Sequence, residues 1–130
     1  MSPTRREQWE RRLRAVFEAV DAALEEKYGE QLPRHPARPP HGRTANRKYD
    51  GLFEVDGKFS LGLGSGQGPG YVVEARVATL ARVPRELRRQ IEADLVEWLA
   101  VELARQFPGR ELRVVRDAAG GLRIVGDLSL

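Results

Sequence analysis

The chain has 130 residues, 41% of them hydrophobic and 32% charged, and its 22 basic and 19 acidic side chains leave a net charge of +3. That is the size and make-up of one globular domain, expected to span residues 1–130. The absence of cysteine excludes disulfide scaffolds, zinc–thiolate sites, iron–sulfur clusters and thiol catalysis, and no apolar run is long enough to cross a bilayer. The N-terminal stretch MSPTRREQWERR is charged and has no apolar core of a secretory signal, so a cytoplasmic protein is expected.

The first element is a helix over residues 4–28. Thr4 followed three residues later by Glu7 is a capping-box pattern. Trp9, Leu13, Val16, Phe17, Val20, Leu24 and Tyr28 then recur at helical spacing and form one broad apolar face. Gly29 supplies the stop.

Residues 30–49 follow as a connector. Pro33, Pro36, Pro39 and Pro40 forbid helix and central strand, which predicts an extended, exposed segment. The segment holds Arg34, Arg38, Arg43, Arg47 and Lys48 and, from residue 31 on, no acid. The excess positive charge is therefore local, and a local patch of one sign attracts anions from a distance.

Strands are expected at 50–56 and 58–64, joined as a hairpin through Asp56-Gly57, the dipeptide of type I′ turns. A glycine-rich loop runs on from Gly64 to Gly70, and residues 71–80 read as a third strand. Pro84 opens a second helix over 84–107, whose apolar positions Leu87, Ile91, Leu95, Trp98 and Leu99 are widened by Val96, Leu103 and Phe107. A terminal hairpin at 111–126 completes the chain. The expected order is α-β-β-β-α-β-β. The expected fold is an α+β two-layer sandwich, with two long helices against an antiparallel five-stranded sheet.

Three features bear on function. The connector, ending in Tyr49, reads as an arm that neutralises phosphates, with Tyr49 able to stack on an unpaired base; the other reading is a solvated connector over the sheet. Arg82, Arg85, Arg88 and Arg89 cluster where the second helix begins. Positive charge there opposes the helix dipole, so these arginines either face an anion or are compensated by Glu86 and Glu92. Gly64, Ser65, Gly66, Gln67 and Gly68 would form an anion cradle of backbone N–H groups, or else a hairpin loop. Neither the phosphate-loop, the dinucleotide-binding nor the nucleophile-elbow pattern is present.

His35 and His41 lack the spacing of a helical metal pair, and only Asp50 and Glu54 stand near them as further ligands, so neither a metal nor another cofactor is expected. No pair of carboxylates and no serine–base–acid set marks a catalytic site, and an enzyme is not expected.

The α-β-β-β-α part of this order resembles double-stranded-RNA-binding domains. That resemblance implies phosphate contacts from the start of the second helix, where Arg82 to Arg89 fall, and from a hairpin loop. The full order is similar to that of small dimeric secretion chaperones, which implies a homodimer built on the second helix and an extended protein segment as partner. The leading expectation is a non-enzymatic protein that binds nucleic-acid phosphates and is RNA- or ribosome-associated. The second is a dimeric protein-binding adaptor, and a small cytosolic domain of unassigned role is the third.

Overall fold

The computed structural model describes residues 2–44, 50–62, 68–116 and 121–129. Its elements are α1 (Arg5–Tyr28), β1 (Phe53–Ser60), β2 (Gly70–Val77), α2 (Arg85–Gln106), β3 (Leu112–Arg116) and β4 (Leu122–Gly126). The class is α+β, with two helices and an antiparallel four-stranded sheet in the order β1-β2-β4-β3.

The strand count corrects the expectation. Residues 53–60 form one continuous strand, in which Asp56 faces Glu74 and Gly57 faces Val73 across the ladder. A type I′ turn needs positive φ at both central residues, and neither Asp56 nor Gly57 has it. Gly57 serves packing instead: a Cβ there would lie 2.6 Å from Phe17 Cζ. The missing side chain lets α1 lie close on the sheet. The β1–β2 reversal therefore falls between Ser60 and Gly70, at the glycine-rich run, and β2 ends at Val77 rather than at residue 80.

The chain order is thus α-β-β twice over, and the two units meet at their second strands, with Val73 opposite Leu122 and Tyr71 opposite Ile124. Both helices cover one face of the sheet, and α1 also packs on α2. The α1 stripe read from the sequence is buried in full, from Trp9 to Tyr28. It meets Ile91, Leu95, Leu99 and Leu103 of α2 and Phe53, Val55, Val73, Leu122 and Ile124 of the sheet in one cluster. Burying each such side chain contributes roughly 1.5–3 kcal/mol. Thr4 and Glu7 form the expected reciprocal cap of α1, whereas Pro84 precedes α2 without a side-chain cap.

Trp98 is half-buried against this chain's own core, with Lys27 Nζ 5.7 Å from its ring centre. Lys27 also ties the helices together through Asp94, at 2.6 Å, and the Tyr28 hydroxyl donates to the same carboxylate. Burial would raise the pKa of Asp94, but the hydrogen bonds from Lys27 and Tyr28 outweigh it and hold the carboxyl below its ordinary value. A depressed carboxyl stabilises the fold above the unfolded pKa of about 3.9 and loses that contribution as pH falls through the folded value. Urea unfolding between pH 3 and 6 should therefore show Asp94→Asn less stable than the parent at pH 6, with the difference closing below about pH 4. A difference independent of pH would mean that Asp94 acts through its shape rather than its charge.

Among the described residues no helix is long and apolar enough to cross a membrane.

Candidate functional site

The connector is folded back on the protein rather than extended. Its first half lies along the exit of β2: His35 N donates to Ala78 O at 2.8 Å and Thr79 Oγ1 donates to Pro33 O at 2.6 Å. Arg38 holds the second half. Its Nε donates to Gly51 O at 2.8 Å, and its Nη2 donates to Asp50 O at 2.7 Å and Phe53 O at 3.1 Å. Glu54 stands 3.9 Å from Nη1. A guanidinium wrapped on three carbonyls is a structural clamp, so Arg38 leaves the expected phosphate-contacting set.

The clamp delivers Asp50 into the interior, where it is 0% exposed. Asp50 Oδ2 accepts from Gly42 N at 3.1 Å, from Thr44 N at 3.0 Å and from Thr44 Oγ1 at 2.9 Å. Among the described residues nothing hydrogen-bonds its Oδ1, which lies 3.4 Å from His41 Nδ1. Burial pushes the pKa of Asp50 up, but the Thr44 and Gly42 hydrogen bonds and the nearby His41 more than offset it, and the carboxyl sits below its usual range.

Gly51 continues the turn at φ +71°, a left-handed conformation that glycine adopts without strain. A side chain there would also run into the Glu25 carboxylate and His41 Cβ. Glu25 Oε1 accepts from the backbone N–H groups of Leu52 and Phe53, the latter at 2.8 Å. One turn earlier on α1, Asp21 is buried at 2% exposure. Single donor atoms of Asp21, Glu25 and His41 all lie within 4.8 Å of one another.

This polar cluster is not the one that the sequence suggested. His35 is apart from it, its Nδ1 accepting from Ala37 N at 3.0 Å. His41 and Asp50 do meet, and the remaining members come from α1. Asp21 could have been noticed: four residues from Phe17 and three from Leu24, it falls inside the apolar stripe.

The remaining expected residues divide in three. Arg34, Arg43, Arg82, Arg85, Arg88 and Arg89 are exposed. Of these, Arg34 Nε donates to Arg38 O at 2.7 Å, and Arg89 faces Glu86 at 3.8 Å across an exposed pair. Glu92 turns instead to Arg116 of β3. Arg47, Lys48 and Tyr49, and Gly64, Ser65, Gly66 and Gln67, lie outside the described residues. Gly68 is described, at φ +73°. Its carbonyl accepts from Arg123 Nη2 at 2.8 Å, so the group seen engaged there is not the N–H of an anion cradle. Arg123 is 4% exposed, a burial that strand alternation did not announce.

A family model described as "Uncharacterised protein" matches residues 4–126. The chain belongs to this family. A relative described as "Uncharacterized protein", from Borreliella burgdorferi, is 37% identical over 98 residues, covering 75% of this chain and 77% of the relative. No solved structure matches. The family match spans both helices and all four strands, and so includes the whole polar cluster and the α2 arginines.

Proposed function

We propose that the protein binds nucleic-acid phosphates, with RNA as the favoured partner, through Arg34 and Arg43 of the connector and Arg82, Arg85, Arg88 and Arg89 at the start of α2. The observation that supports this reading is the junction between residues 33–35 and 78–79, made by two hydrogen bonds at 2.8 and 2.6 Å. It fastens the basic connector to the segment that leads directly into α2, so that Arg34 and Arg82 flank one seam. The seam brings Arg34 toward Arg82 and the exposed arginines that follow it on α2, a local excess of positive charge that attracts anions, and their planar forks suit phosphate oxygens. Among the described residues, four large apolar side chains are exposed: Phe59 and Leu61 (53% and 57%) at one end of the β1–β2 hairpin, Leu80 (76%) at the other, and Val101 (49%) on α2. They do not build the single apolar groove that an adaptor would need.

Fluorescence anisotropy with a labelled RNA duplex tests the proposal. Four to six phosphate contacts predict that affinity falls about a hundredfold or more between 50 and 200 mM salt. Changing Arg82, Arg85 and Arg89 together to glutamine should weaken binding and lower the salt slope by about one for each arginine that meets a phosphate. Absence of binding at 50 mM salt, or binding indifferent to salt, would overturn the reading.

A further inference from the structure

We propose that Asp21, Glu25 and His41 form a binding site for a divalent transition-metal ion of the zinc or manganese class, with Asp50 as the carboxylate that orients His41. Asp21 and Glu25 are four residues apart on α1 and share one helix face; His41 is brought over them by the connector. The three donor atoms lie within 4.8 Å of one another. Metal–ligand bonds of about 2.1 Å would set donors about 3–3.4 Å apart, so small side-chain adjustments close the set.

The arrangement of Asp50 points to a ligand independently of that grouping. Asp50 is 0% exposed. Three donors occupy its Oδ2, while its Oδ1, without a hydrogen bond among the described residues, lies 3.4 Å from His41 Nδ1. Buried carboxylate oxygens ordinarily take hydrogen bonds. An oxygen held in reserve against one ring nitrogen is the partner that a metal-bound imidazole uses: the carboxylate accepts Nδ1–H, fixes the tautomer and leaves Nε2 to the metal. The Arg38 clamp and the Thr44 and Gly42 hydrogen bonds hold Asp50 in place for that role.

Charge and access agree with a cation. Asp21 and Glu25 bring two carboxylates within reach of His41, a mixed oxygen and nitrogen donor set that suits a cation. Asp21 also lines a cleft of about 450 Å³ between α1 and β1, where Glu10, Glu18 and Asp56 face a single Arg14. An acidic cleft that reaches Asp21 attracts a cation toward that end of the site. One imidazole among two carboxylates selects against magnesium and calcium, which favour oxygen-only shells, and suits zinc or manganese. Three protein ligands leave coordination positions open to water or to a small anionic ligand.

Isothermal titration of the full chain with Zn²⁺ and Mn²⁺ separately, with Mg²⁺ for comparison, tests the site. One equivalent of Zn²⁺ or Mn²⁺ should bind with a Kd in the micromolar range or below, at least tenfold tighter than Mg²⁺. His41→Ala removes an exposed ring and should leave the circular dichroism spectrum unchanged while weakening binding at least a hundredfold. Asp50→Asn should weaken it 10–100-fold. The metal should raise the melting temperature of the parent chain and not that of His41→Ala. If Asp50→Asn does not fold, His41→Ala still decides. No binding of either metal up to 1 mM, or unchanged binding by a folded His41→Ala variant, would overturn the proposal. None of these readouts depends on nucleic acid.

Discussion

Asp50→Ala is expected to destabilise the protein by about 3 kcal/mol or more, the sum of several broken charged hydrogen bonds taken as less than additive. The carboxylate is 0% exposed. It satisfies the Gly42 and Thr44 backbone N–H groups and the Thr44 hydroxyl, at 3.1, 3.0 and 2.9 Å. Alanine leaves all three donors without that acceptor and opens a void beneath the connector. The effect should reach beyond the loop, because the same turn carries the carbonyls gripped by Arg38 and the Leu52 and Phe53 N–H groups gripped by Glu25. Urea unfolding provides the measurement: the midpoint should fall with little change in slope. A loss below about 1 kcal/mol, the size of one ordinary hydrogen bond, would mean that the connector opens without consequence for the core. Removing the clamp instead, as in Arg38→Met, should act in the same direction, since it leaves the Asp50, Gly51 and Phe53 carbonyls short of a donor.

Local and distant information contributed unequally to this fold. The α1 stripe, its Thr4–Glu7 cap and the terminal hairpin were legible because each is specified by residues within a few positions of one another. The pairing of β2 with β4 was not, since Val73 and Leu122 carry no mark of each other. The candidate site divides along the same line. The basic connector stands out in composition, but composition does not say which arginine is used internally. Arg38 looks like its neighbours and differs only in what the turn at Asp50 to Phe53 offers it. Asp21 and Glu25 belong to the site only because the connector and the turn after it fold back over the C-terminal half of α1. The sequence carried a hint of this in an aspartate set within an apolar stripe.

The Asp56-Gly57 misreading has the same origin and leads to the second large effect. A glycine after aspartate is a turn signal when its φ must be positive, yet here its use is the absent Cβ beneath Phe17, 2.6 Å from where that atom would be. Gly57→Val is therefore expected to destabilise by about 2–3 kcal/mol through overpacking, although valine is the better strand former. Phe17, 7% exposed, should cost about 3–5 kcal/mol as Phe17→Ala alone, the usual range for emptying an aromatic site in a core. In the double variant the valine occupies part of the space that the ring vacates, so the combined loss should be smaller than the sum by at least about 1 kcal/mol. A penalty from backbone strain at a turn would leave the two changes additive. Strict additivity in urea unfolding would thus return Gly57 to the turn role that the dipeptide suggests, and coupling of the expected sign would tie the course of β1 to the approach of α1.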